Sequence, residues 1–169
     1  RLAALVQMTY VGAPMLWYGT EAGMWGSSDP NNRKPMLWPD HEPYAVPSEN
    51  YFMNEQFEYY REGVALRNAH PALRTGSFRT LMADDARDAW VFLREDAHEE
   101  LLVAMTGSDA PQRLVLPGSL GSGWQPVFGA APAAAPAQSP ARRGAPSSKS
   151  PSIVSQNSAM SARPSCRLP

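Results

Sequence analysis

The 169-residue chain has a single cysteine, Cys166, so it can form neither an internal disulfide framework nor a cysteine-based zinc site. It has no apolar run near the ~20 residues of a membrane span. It begins Arg1-Leu2-Ala3-Ala4-Leu5 without an initiator Met, and Gln7 interrupts the apolar stretch. Such a start is a poor secretory signal and reads as the interior of a longer polypeptide. From Gly129 to Pro169 there is no aromatic and no acidic residue, and 26 of these 41 residues are Ala, Ser or Pro. That composition predicts a disordered tail over 129–169. All 16 acids therefore lie in residues 1–128 with 10 of the 15 bases, so the net charge of −1 cancels a −6 body against a +5 tail. An acidic body carries no nucleic-acid footprint, and basic residues scattered through a Pro/Ala/Ser tract read as a solvated linker. His41, His70 and His98 share no ligand spacing, so no metal site is expected.

What is present is patterned. Leu2, Leu5, Val6 and Tyr10 fall near helical spacing, and Gly12 and Pro14 stop that helix. Met15-Leu16-Trp17-Tyr18 is apolar on both faces and bounded by Gly12/Pro14 and Gly19, which predicts a strand buried on both sides, as in a parallel sheet. One such strand needs neighbours on both edges, which this chain does not offer. Residues 19–49, rich in Gly, Pro, Asn and Asp, predict a long loop, and Met24, Trp25, Met36, Trp38 and Tyr44 argue that it is ordered and functional. Ser48 reads as the N-cap of a helix over 49–68, with Met53, Phe57, Tyr60 and Val64 along one face and His70-Pro71 at its end. From Gly76 the period becomes two. Strands are predicted at 78–82, 89–94, 100–106 and 112–116, with another starting at 124–128, in an antiparallel sheet or sandwich.

Two segments carry a resemblance. Gly12-Ala13-Pro14-Met15-Leu16-Trp17-Tyr18-Gly19-Thr20-Glu21-Ala22-Gly23-Met24, followed by Asp29-Pro30-Asn31-Asn32-Arg33-Lys34-Pro35-Met36-Leu37-Trp38, is similar to the α-amylase family of glycoside hydrolases, near its neopullulanase and cyclomaltodextrinase branch. The resemblance covers about residues 1–128. It implies an α/β then all-β organisation: the last βα unit of a TIM (β/α)8 barrel over 1–75, a partial antiparallel β-sandwich over 76–128, and the low-complexity tail. Active sites of such barrels lie on the loops after the strands, where 19–49 would sit. In the family the residues matching Asp29 and Arg33 contact a glucose unit on the non-reducing side of the cleaved bond. The match to Glu21 is an acid that supports the site, and Thr20 stands where the family often has Asp.

Sugar recognition uses paired charged hydrogen-bonding groups and flat aromatic faces, so Asp29 and Arg33 with Trp25 and Trp38 form the candidate substrate-binding set, Glu21 lying near it. The bland alternatives are a surface ion pair and loop-packing tryptophans. The implied chemistry is retaining hydrolysis of α-glucosidic bonds in maltodextrin, cyclodextrin or pullulan, without a cofactor. It requires two carboxyls ~5–5.5 Å apart on rigid strand ends. The family's catalytic carboxylates would precede Arg1, and Glu21 and Asp29, on a turn and a loop, do not replace them. The chain, shorter than a barrel of ~250 residues, is therefore expected to be inactive alone. A non-catalytic carbohydrate-binding or interaction module on the predicted sandwich, or a gene fragment without independent function, are the competing readings. Compartment and oligomeric state have no signature in the sequence.

Overall fold

The computed structural model describes residues 1–26, 28–41, 51–116, 120, 123–129 and 150–157. Helix α1 (Leu2–Thr9) forms where the apolar spacing predicts it, burying Ala4, Leu5 and Met8. It ends as Tyr10 turns extended. Helix α2 (Asn54–Ala69) and the short α3 (Pro71–Thr75) follow, broken apart at His70. Pro71 is tolerated because it stands in the first turn of α3, where no intrahelical donor is needed. Glu99 serves that turn: Oε1 accepts from the Ala72 amide at 2.9 Å, and Oε2 lies 2.7 Å from His70 Nδ1.

The start of α2 differs from expectation. Its N-cap position is Met53, without a side-chain cap, whereas the sequence suggests Ser48, which lies outside the described residues. Phe52 is buried against Ala22 and Leu37, so the chain turns helical only after that anchor.

The rest is one mixed sheet: β1 (Ser77–Asp84), β2 (Ala89–Glu95), β3 (Glu99–Thr106), β4 (Gln125–Phe128) and β5 (Ser150–Asn157), in the order β1-β2-β3-β5-β4. The first three make an antiparallel meander, and β5 runs parallel to both β3 and β4. One face carries Phe92, Leu101, Val103, Met105 and Val154 against Leu5, Leu66 and Leu73 of the three helices. The other carries Val91, Leu93 and Leu102 beneath Leu114, Leu116 and Trp124. With both faces covered, β2 buries consecutive residues rather than alternate ones.

Arg94 is the exception in that core. Pointing from β2 toward the helices, 1% exposed, it donates to the carbonyls of Thr9 (2.7 Å), Ser77 (3.0 Å) and Gly76 (3.1 Å). Arg67 of α2 donates to the carbonyls of Met8 (2.8 Å), Tyr10 (3.2 Å) and Gly12 (2.5 Å). The last carbonyls of a helix lack internal partners and sit at its negative end, so two guanidiniums there meet both needs. Burial lowers the pKa of both, and each also feels another arginine: Arg74 beside Arg67, and Arg67 beside Arg94. Tyr59 packs edge-on against Phe128 at 5.5 Å with Arg1 over its ring. Burial pushes its phenol up to about 12, against the opposing pull of Arg1.

Three expectations are corrected. No strand forms at Met15–Tyr18: the segment is irregular, with Met15 and Trp17 about two-thirds exposed at 67% and 69%. Its backbone finds no neighbouring strand among the described residues, and a strand without a ladder is not stable. Residues 112–116 alternate inward and outward as predicted but join no strand ladder among the described residues, because Leu114 and Leu116 pack on a face of the sheet. The tail is not wholly unstructured, since β5 arises from it, with Ile153 and Val154 reaching into the two cores. That pairing also makes the sheet mixed, not antiparallel. The remainder of the predicted disorder, 130–149 and 158–169, lies outside the described residues.

Candidate functional site

The candidate site is carried by the loop Gly19–His41. It is pinned twice to α2. After Gly19, in the left-handed region, a 3-10 turn Thr20–Ala22 buries Ala22, whose carbonyl accepts from the Met53 amide at 3.1 Å. The Gln56 side-chain amide donates to the Thr20 carbonyl. Farther on, Leu37 is buried with Ala22 and Phe52, flanked by Met24, Met36 and Phe57. The methionines and Leu37 thus act as feet, and the stretch between them is held away from the core. These anchors hold the described part of the loop despite its Gly, Pro and Asn content, and residues 42–49 of the expected loop, Tyr44 included, lie outside the described residues.

That stretch presents the predicted residues outward. Pro30 and the 3-10 turn Asn31–Arg33 bring Arg33 back over Asp29, with Nε 3.2 Å from Oδ1. The pair is exposed, 75% for the arginine and 67% for the aspartate. Trp25 and Trp38 are also exposed, at 64% and 52%. The structure therefore brings Asp29 and Arg33 together and leaves both indoles largely exposed. Glu21 is apart from this pair: it lies in the pinned turn, and its Oε2 is buried without a hydrogen-bond partner among the described residues. Its charge faces Tyr60, whose pKa is raised by burial first and by Glu21 second. Thr20 donates its hydroxyl to the Trp17 carbonyl at 2.5 Å, closing the turn locally.

One residue was not singled out from the sequence. Lys34 sets its ammonium 4.4 Å from the centre of the Trp25 ring, a cation–π contact that covers one indole face. The signal was available, since a Lys follows Arg33 in a loop that holds a nearby Trp. Together Asp29, Arg33, Lys34, Trp25 and Trp38 offer one carboxylate, two cations and two flat apolar faces at a solvent-facing surface. Such a set can hydrogen-bond hydroxyls through Asp29 and Arg33 while an aromatic face covers ring C–H groups. Among the described residues, no three of the His, Cys, Asp and Glu side chains come together as a metal site would need.

Comparison with known proteins gives the same direction. The chain is similar to neopullulanase 2 of Thermoactinomyces vulgaris, 36% identical over 126 residues, which is 73% of this chain and 20% of that protein. It is similar to a cyclomaltodextrinase of a Bacillus species, 38% identical over 114 residues, 68% of this chain and 19% of that protein. A solved cyclomaltodextrinase structure superposes with a TM-score of 0.59 at 36% identity, covering 73% of this chain and 20% of that one. The chain thus spans about a fifth of the length of the relatives it matches. No family model matches it.

Proposed function

Because this chain belongs, over the segment it shares with those relatives, to the α-amylase family of glycoside hydrolases, we infer that it supplies a substrate-holding part of an enzyme that cleaves α-glucosidic bonds. The substrates would be maltodextrin, cyclodextrin or pullulan-type glucans, as the names of the relatives suggest. The observation that carries this reading is the loop anchored by Ala22 and Leu37, which holds Asp29 and Arg33 as an exposed pair alongside exposed Trp25 and Trp38. A loop anchored from below while its polar and aromatic groups face solvent is arranged to bind something flat and hydroxylated.

In this reading Asp29 and Arg33 hydrogen-bond the hydroxyls of one glucose unit beside the cleaved bond. Trp38, or the face of Trp25 that Lys34 leaves open, lies against the ring. Glu21 positions the turn and touches no reacting atom. Residues 1–75 belong to the end of a (β/α)8 barrel. Residues 76–128 begin the following β-domain. Retaining hydrolysis needs a carboxylate nucleophile and a second carboxyl as acid/base, and neither role falls to a residue of this chain. Alone, the chain binds and does not cleave.

Reducing-sugar assays on maltodextrin and β-cyclodextrin, together with a maltoheptaose titration followed by NMR, test this. The expectation is no hydrolysis, weak binding, and a ~10-fold or greater loss of affinity in Asp29→Ala and Arg33→Ala, the scale of a hydrogen bond to a charged group. Hydrolysis abolished by Asp29→Ala would overturn the non-catalytic assignment. Affinity unchanged in both variants would overturn the sugar-contact assignment.

A further inference from the structure

The place of β5 in the sheet is unusual. It lies between β3 and β4, matched to β3 from Glu99↔Ser150 to Thr106↔Asn157, and β4 is joined to the sheet only through it. Without β5, an eight-residue edge of β3 would be open and β4 would have no ladder. The gap it fills is a shaped slot. Val154 is fully buried with Leu5, Leu66 and Val103 on one face, and Ile153 packs beside Leu102 on the other. At the rim, Gly129 (φ +79°) lies so close that a Cβ would come within 1.6 Å of the Ser155 carbonyl oxygen.

The strand that fills this slot is held lightly. Val154 is the one residue of β5 that is buried among those whose side chains are described. Pro151, near the start of β5, and Pro126, opposite Ile153 in β4, have no amide hydrogen, so each removes a donor from a ladder where interior strands rarely tolerate the loss. The tether is long as well. Twenty residues separate Gly129 from Ser150. Extended, they reach up to ~70 Å, against the ~26 Å length of an eight-residue strand. The parallel pairing therefore does not require that the strand and the slot belong to one molecule.

We propose that Ser150–Asn157 is an exchangeable strand, and that the slot between β3 and β4 is an interface for a second copy of this chain, each copy placing its strand in the slot of the other. The two-fold exchange uses the same pairings and the same Ile153–Val154 anchor as the closed monomer. The balance between them is set by tether and concentration. A connection of this length supplies an effective concentration on the order of mM, so exchange becomes prominent as the chain approaches that range.

The test uses the full chain with Cys166→Ser and places one cysteine on each side of the slot. Ala104 and Ser155 are paired in register on neighbouring strands and point to the same face. Chains carrying Ala104→Cys are mixed with chains carrying Ser155→Cys, equilibrated and oxidised from about 10 µM to about 1 mM, up to the tether's own effective concentration. Exchange predicts a disulfide-linked heterodimer that rises at least tenfold across the range and exceeds either homodimer. The double variant Ala104→Cys/Ser155→Cys at the low end should close within one chain. A heterodimer no more abundant than the homodimers would overturn the proposal, as would a heterodimer undiminished when Val154→Asp is added to the Ser155→Cys chain. Failure of the double variant to cross-link at all would show that β5 does not occupy the slot, and would overturn it too.

Discussion

The guanidinium of Arg94, near the end of β2, donates a 2.7 Å hydrogen bond to the carbonyl of Thr9 at the last turn of α1. The two residues are 85 positions apart, and the bond fastens the first helix to the end of the second strand of the sheet. No carboxylate takes part. Backbone carbonyls of Thr9, Gly76 and Ser77 satisfy the charge, so the arginine acts as a hub joining α1 to the α3–β1 junction.

Arg94→Met should lower the unfolding free energy by ~1–3 kcal/mol, because an apolar chain of similar length fills the space but leaves the buried Thr9 carbonyl, and the part-buried Gly76 and Ser77 carbonyls, without their donor. Arg94→Lys should recover only part of this, since one ammonium cannot span all three acceptors in the planar arrangement of a guanidinium. Urea unfolding of the three proteins measures both steps. Equal stability of Arg94→Met and the parent would disprove the hub.

Gly76 has an ordinary φ of −69°, so its requirement is space, not backbone freedom. A Cβ there would meet the backbone oxygens of Ala72 at 2.5 Å and Glu95 at 2.6 Å. Backbone on both sides cannot give way as a side chain could. Gly76→Ala should cost ~1–3 kcal/mol, read as a drop in the thermal midpoint. A midpoint equal to the parent's would show that the α3–β1 junction is looser than described.

Tyr59 makes stability fall at high pH. Its phenol is raised from 10.0 to about 12 in the folded chain, so the folded state holds the proton over a range where the unfolded state releases it. Its contribution is complete below about pH 10 and is lost progressively as pH rises through about 12. Tyr59→Phe should flatten that part of the stability–pH curve. An unchanged slope between the two values would assign the alkaline loss to other groups, Tyr60 first among them.

Asp29 and Arg33 separate the two readings of an exposed ion pair. A solvent-facing pair at 75% and 67% exposure contributes little to folding, so Asp29→Ala, Arg33→Ala and the double variant should each stay within ~1 kcal/mol of the parent. Maltoheptaose affinity should drop in the same proteins. A fall in stability with affinity preserved would make the pair a loop brace.

The legible parts of the fold are those in which local pattern and tertiary partners agree. The Leu2/Leu5/Val6 spacing marks α1, and the period-two runs after Gly76 mark β1 to β3. Misreadings arise where a segment's fate depends on what lies beside it. Met15–Tyr18 has a strand's composition but no neighbour to pair with, and Leu114–Leu116 has a strand's alternation but lies on a face. Ile153-Val154 is two β-branched residues within a tract whose average composition denies structure, and the average hid them. The candidate set is grouped in the sequence, since Asp29, Arg33 and Trp38 share one motif segment and Trp25 stands between the two segments. The roles of Lys34, Arg67 and Arg94 were not legible there, since their partners are an aromatic face and distant carbonyls, which no short spacing announces.

The order of the sheet also governs how the chain tolerates shortening. A stop placed just after Gly129 removes no residue of β4, yet it leaves that strand beside an empty lane and strips one side of β3. The loss is of two strands for eight residues of strand removed, with Val103 and Leu5 uncovered beneath. Trimming the compositionally plain end would therefore leave a chain that retains its loop and helices but aggregates through a fresh, unguarded edge.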